Sequence, residues 1–186
     1  MKGLSDAELM SRIRSEDRVA FAELVDRHKD ALVNYLLRLT RSRERAEENA
    51  QEAFLRLYQT ASRYNEQGHL VAYLYRIATN LVRSEERKQT RWRFFTAALS
   101  SNGHRPPTTP QTQLLQEEVK EKVSTALGEL PATYRAPLVL RDIEGWSYQE
   151  IARALGCREG TVKSRINRGR GQLREILEPF WSRGEK

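Results

Sequence analysis

Three sets of residues have types and spacings suited to chemistry, and in each the chemistry is recognition. Within SYQEIARALGCREGTVKSRINRGRGQLR (147–174), Arg158, Lys163, Arg165, Arg168, Arg170 and Arg174 are opposed in the second helix's neighbourhood only by Glu159 and Glu175. A cationic face of this kind neutralises phosphates and releases their counterions. Further forward, Tyr73, Arg76, Asn80, Arg83 and Arg87 recur at helical spacing. A ring, an amide and several guanidiniums on one face can stack on bases, bond to their edges and hold phosphates. A core tyrosine with surface arginines fits that spacing as well. Third, Glu44, Glu48 and Glu52 stand one turn apart, with Gln51 and Leu55 beside them. Like charges at i,i+4 weaken a helix by a few tenths of a kcal/mol per pair. A basic partner opposite would offset that cost; a solvated face balanced by neighbouring arginines is the other reading.

Catalytic constellations are not found. His28, His69 and His104 are scattered, and the single Cys157 allows neither an internal disulfide nor a cysteine-pair zinc site. No phosphate-cradling glycine motif or nucleophile elbow occurs. The chain is therefore expected to be no enzyme and to need no cofactor or metal. Its net charge of +7 over 186 residues suits a polyanionic partner. The start, MKGLSDAEL, is polar and leads into no long apolar run, so neither a signal peptide nor membrane insertion is expected, and the place of action is the cytoplasm.

The elements that must position these residues are all helices. Ser5 with Glu8, and Ser147 with Glu150, are capping boxes that open helices. Phe21, Leu24, Val25, Leu32, Tyr35, Leu36 and Leu39 keep a helical period from 19 to 40. Ser42 caps a helix running to about residue 60, whose inward stripe is Ala46, Ala50, Ala53 and Leu57. After a polar loop at 62–70, Leu70, Leu74, Ile77, Ala78 and Leu81 point inward from the next helix. Periodicity then fails, and the proline-, serine- and glycine-bearing stretch 92–112 reads as a flexible linker. Beyond it come a helix carrying Leu114, Leu115, Val119, Val123 and Leu127, another over 132–143 that stops at Gly145, and two helices joined at Gly156. Val162, Ile166, Leu173, Ile176 and Leu177 turn inward from the last, leaving a basic outer face: a helix-turn-helix. The fold class is all-α, with two small helical domains at 1–91 and 113–186.

Two blocks of residues together resemble bacterial sigma factors of the extracytoplasmic-function (ECF) group of the sigma-70 family. The first is AEENAQEAFLRLY (46–58) followed by AYLYRIATNLVRSEERK (72–88); the second is LPATYRAPLVLRDIEGWSYQEIARALGCREGTVKSRINRGRGQLR (130–174). The resemblance implies a subunit that binds core RNA polymerase, at its clamp coiled coil and flap, and directs it to promoter DNA. It places Glu48, Gln51, Glu52, Phe54 and Leu55 against the clamp. It makes Tyr73, Arg76, Asn80 and Arg83 contacts to the downstream (−10) element, with Asn65 and His69 bounding the pocket for an extruded base. Lys163, Ser164 and Asn167 would read the upstream (−35) element, with Arg158, Thr161, Arg165 and Arg168 nearer its backbone. An anti-sigma factor is the expected inhibitor. The sequence departs from the family where Tyr73 replaces the usual tryptophan and Asn49 the customary leucine, and Asn167 stands at a variable base-reading position. The competing reading is a free-standing, LuxR-like helix-turn-helix regulator that needs no polymerase.

Overall fold

Eight α-helices make up most of the residues that the computed structural model describes, which are 3–64, 68–97 and 115–181. They are α1 (Asp6–Arg14), α2 (Arg18–Thr40), α3 (Arg43–Thr60), α4 (Leu70–Ala97), α5 (Leu115–Glu129), α6 (Ala132–Leu138), α7 (Tyr148–Leu155) and α8 (Glu159–Trp181). A 3₁₀ turn at Ala61–Arg63 follows α3, and a π turn at Val139–Ile143 continues α6. No strand occurs among the described residues.

Local hydrogen bonds set where the helices begin. Both capping boxes form: Glu8 N donates to Ser5 Oγ at 3.3 Å and Glu150 N to Ser147 Oγ at 3.2 Å. In each the glutamate answers by accepting from the serine amide, and these bonds lower the pKa of both carboxyls. Ser42 caps α3 as expected, and Asp17, which the sequence reading passed over, caps α2 by accepting from Val19 N and Ala20 N. Gly156 closes α7 at φ 61°, a left-handed conformation open to glycine at no steric cost.

Two elements differ from expectation. The helix expected to fail after residue 91 runs on to Ala97, because no glycine or proline interrupts the chain between Gly68 and Gly103 and propagation adds a bond for each residue fixed. The rest of the expected linker lies outside the described residues. The helix expected over 132–143 widens after Pro137, with Glu144 N reaching back five residues to Val139 O at 3.0 Å. On α4, Ile77 and Leu81 are only half-buried while Tyr75, Thr79 and Val82 are buried. The helix is covered on more than one side, so its buried arc is broader than a single stripe.

Helices α1 to α4 form the front unit, α2 against α3 and α3 against α4. Leu24, Leu32, Leu36, Leu57 and Leu74 are fully buried at its centre. In the rear unit α8 crosses α6 closely at Gly169. A Cβ there would lie 2.5 Å from Leu138 Cδ1 and 3.3 Å from the Tyr134 carbonyl oxygen, so the glycine makes room for the neighbouring helix.

The two units close on each other through one apolar core. Leu74, Tyr75, Ala78 and Val82 of α4 belong to the same buried cluster as Ala136, Val139, Leu140, Ile151, Ala154 and Leu155 of the rear unit. An aromatic column crosses the junction: Tyr35 lies 4.8 Å from Tyr75, and Tyr75 lies 4.8 Å from Trp146. Polar bonds flank it. Arg135 donates to the Leu39 carbonyl and to Glu86, Glu86 also accepts from Ala132 N at 3.0 Å, and Arg38 meets Glu144 at 2.7 Å.

The column carries a pH prediction. Burial pushes the hydroxyls of both tyrosines up, Tyr75 to about 12, with Tyr35 higher still despite its 2.7 Å bond to Thr79 Oγ1. The unfolded phenols ionise near pH 10, roughly. Their protonated forms therefore support the fold fully below that value, and the contribution is lost as pH rises through the folded values. Urea midpoints measured across this range should fall, and a Tyr75→Phe variant should lose less.

Candidate nucleic-acid interface

On α8 the inward residues Val162, Ile166 and Leu177 are buried, which turns Lys163, Ser164, Asn167 and Arg168 outward. These four occupy adjacent positions on one exposed face in the first half of the helix, and Arg158 in the turn before it is also exposed. Thr161 is half-buried, and its carbonyl accepts the Ser164 hydroxyl at 3.0 Å. Arg165 departs from the group: it is half-buried and its Nη1 lies 3.7 Å from Cys157 Sγ. Arg170 is held by both oxygens of Asp142, at 2.6 and 3.1 Å, which raises its pKa. It is therefore less available to phosphates than its neighbours, a pairing between residues too far apart in sequence to be read from spacing.

The expected row on α4 is divided by its environment. Tyr73 is half-buried, its ring 5.0 Å from Tyr64, its hydroxyl 3.2 Å from Thr60 Oγ1, and the Arg76 guanidinium 5.0 Å over its face. Asn80 and Arg87 are exposed, whereas Arg76 and Arg83 are half-buried beside the rear unit. His69, exposed at the start of α4, lines an open cavity of about 860 Å³ with Met10, Arg14, Tyr64, Leu70 and Trp146 among others. Asn65, expected at the same pocket, lies outside the described residues.

On α3 the exposed residues Glu44, Glu48, Gln51 and Leu55 fall on one face with the half-exposed Glu52. Glu52 is paired with Arg56 at 2.6 Å, as the solvated-face reading anticipated, but Glu44 and Glu48 have no ion pair among the described residues. Leu55 is 49% exposed and Phe54 only 5%. Phe54 thus belongs to the core and cannot touch a partner on this face; its spacing of four from Ala50 and three from Leu57 already placed it on the inward stripe. The amide of Asn49 is buried and satisfied. It donates to the Arg45 carbonyl at 2.8 Å and to Glu85 at 3.1 Å, and Glu85 also binds Arg45 at 2.7 Å, so the three tie α3 to α4.

An all-helical chain with a basic, outward-facing helix-turn-helix at one end is built as a DNA-binding protein. The family model of sigma-70 region 2 matches residues 24–92, and that of sigma-70 region 4 matches residues 120–173. The ECF RNA polymerase sigma factor SigW of Bacillus subtilis is 31% identical over 176 residues, 90% of this chain and 94% of that protein. The RNA polymerase sigma-H factor of Pseudomonas aeruginosa is 28% identical over 196 residues, 94% of this chain and 95% of that protein. The ECF sigma factor SigE of Mycolicibacterium smegmatis is 38% identical over 158 residues, 83% of this chain but only 60% of the length of that protein. The chain belongs to the ECF group of the sigma-70 family.

Among solved structures, the sigma factor RpoE bound to the anti-sigma factor NepR of Bartonella quintana superposes with a TM-score of 0.63 at 26% identity, over 85% of this chain and 96% of that one. CnrH, bound to the cytosolic domain of CnrY, has a TM-score of 0.68 at 24% identity over 94% and 97% of the two chains, a likeness of fold.

Proposed function

We propose that this sigma factor binds core RNA polymerase through the α3 face and directs it to promoters by reading two DNA elements. Glu48, Gln51, Glu52 and Leu55 form the polymerase contact, against the clamp coiled coil, and the rear unit reaches the flap. Lys163, Ser164 and Asn167 read the upstream element, with Arg158, Thr161, Arg165 and Arg168 on its backbone. Tyr73, Arg76, Asn80 and Arg83 hold the melted downstream strand, with Asn65 and His69 at the pocket for an extruded base. Capturing that base offsets the few kcal/mol lost on unstacking it, roughly. The protein is then an initiation factor acting in the cytoplasm without catalysis of its own, and a protein inhibitor is its natural regulator, as NepR is for its Bartonella relative. No helix among the described residues is long and apolar enough to cross a membrane.

The observation that carries this reading is the segregation of charge in a member of this family. An acidic face with an exposed leucine lies on α3, and four exposed polar or basic side chains lie together on α8. The match to sigma-70 region 2 over 24–92 disfavours the free-standing regulator, which would need a ligand or receiver domain there. Transcription from a promoter library by core polymerase, with and without the protein, tests the whole proposal: new start sites sharing two spaced elements are expected, and their absence refutes it. Within that assay Lys163→Ala is expected to weaken discrimination at the upstream element by about 1–3 kcal/mol if the ammonium bonds a base edge. An unchanged sequence preference removes Lys163 from the reading set.

A further inference from the structure

The closed packing of the two units carries a consequence for the proposed DNA contacts on α4. Gly156, at the end of α7, lies so near α4 that a Cβ there would be 3.6 Å from Arg76 Cδ. Arg83 is enclosed further. Its Nε and Nη2 are buried and have no hydrogen-bond partner, and its nearest charged neighbours include Arg165 of α8 and Arg87. Burial and the charge of Arg165 lower its pKa, yet a guanidinium stays charged at any ordinary pH, so the enclosed N–H groups remain costly donors. Two arginines that would serve different promoter elements are thus pressed together in the absence of DNA.

Opposing this cost is a set of bonds that exist only while the units are closed. Arg135, 95% buried, reaches from α6 to the Leu39 carbonyl and to Glu86 on α4, and Glu86 in turn accepts from Ala132 N at the start of α6. Arg38 and Glu144 pair across the same junction at its surface. Lys163, Ser164, Asn167 and Arg168 remain exposed throughout.

We propose that the closed packing is a self-inhibited state: a latch of Glu86 with Arg135 and Ala132 holds the helix-turn-helix over the strand-binding side of α4 while leaving the upstream-reading face of α8 open. Duplex recognition can then occur with the latch shut, and capture of the melted strand waits on its release. Arg83 favours release, because opening exposes its unpartnered N–H groups to water or to a phosphate. This rests on the assignment of α4 to the downstream strand.

The test uses the full chain and its single cysteine. Cys157 is half-buried in the junction beside Arg165, so its alkylation by iodoacetamide reports opening without reference to DNA. In Glu86→Ala the buried Arg135 loses its carboxylate only in the closed state, since the open state solvates it. Arg38→Glu sets two carboxylates against each other at the surface, where no core is disturbed, and adding Glu144→Arg restores the pair. Both single variants are expected to alkylate faster and to bind a short random single-stranded DNA more tightly, by about tenfold for Glu86→Ala, since apparent affinity scales with the open fraction. The charge swap should return Arg38→Glu to wild-type behaviour. Unchanged alkylation in both single variants overturns the latch. Faster alkylation with strand affinity equal to wild type overturns the inhibition. Faster alkylation with no strand binding by any form overturns the assignment of α4, and the masking with it.

Discussion

Leu55→Asp is expected to leave the fold intact and to cost about 2 kcal/mol or more in affinity for core polymerase, roughly thirtyfold. Its neighbour should do the opposite. Phe54→Ala removes a ring that is 5% exposed and leaves a cavity between α3 and the rest of the front core, at a cost of about 3–5 kcal/mol. That is a large share of a small domain's stability, which is roughly 5–15 kcal/mol. Leu55, at 49% exposure, has little burial to lose, and a carboxylate there extends a row that already holds Glu48 and Glu52. Denaturant midpoints and polymerase binding, measured on the same two proteins, separate the outcomes. If Leu55→Asp binds polymerase as wild type does, the α3 face is not the docking surface. If Phe54→Ala unfolds at the wild-type midpoint, the ring is not the core element that its burial indicates.

A second large effect is expected at Asn49, where the clasp between α3 and α4 depends on an amide. Asn49→Asp replaces two donated bonds, to the Arg45 carbonyl and to Glu85, with oxygen lone pairs facing oxygen. A buried carboxylate beside Glu85 should destabilise the front unit by about 3–5 kcal/mol, with Arg45 returning part of this through its bond to Glu85. Burial and the neighbouring carboxylate would raise the folded pKa of the new acid above its unfolded value. Its protonated form is thus favoured in the fold, and the penalty shrinks as pH falls toward the ordinary carboxyl range, near 4 or so. Unfolding at neutral and at mildly acidic pH checks this; a penalty that does not depend on pH would show that Glu85 does not face the site. Asn49→Leu, which restores the side chain customary in the family, removes a donor without adding a charge. It is expected to cost under about 1.5 kcal/mol.

Much of this molecule can be read locally. The capping boxes at Ser5 and Ser147 and the cap at Ser42 each close over three residues, so the sequence that contains them contains their partners. The left-handed turn at Gly156 depends on the missing side chain of that residue alone. The outward set on α8 follows from the period of Val162 and Ile166. Asp17 was as local as these and could have been found from its place before a helical run; Phe54 could have been assigned to the core from its offsets to Ala50 and Leu57.

Other features had no such signal. Arg165 and Arg170 have the residue type and spacing of phosphate contacts, but one turns toward Cys157 and the other is held by Asp142. Asn49 breaks an apolar stripe and would pass for an error of pattern without Glu85, which lies 36 residues away. Arg135 looks like a surface arginine in sequence and is 95% buried.

By itself the sequence determined the helices, their caps, the apolar side of each and the charged faces of α3 and α8, because backbone hydrogen bonds and side-chain period act over a few residues. Only the tertiary structure decided that the two units share a core, that Tyr75 lies between Tyr35 and Trp146, and that Glu86 and Arg135 bridge 49 residues to join the units. A period shows that a helix has an apolar side, and it carries no information about which distant surface will cover it. On α4 more than one surface does, and for that reason the exposure of Arg76 and Arg83 could be settled only by the packing.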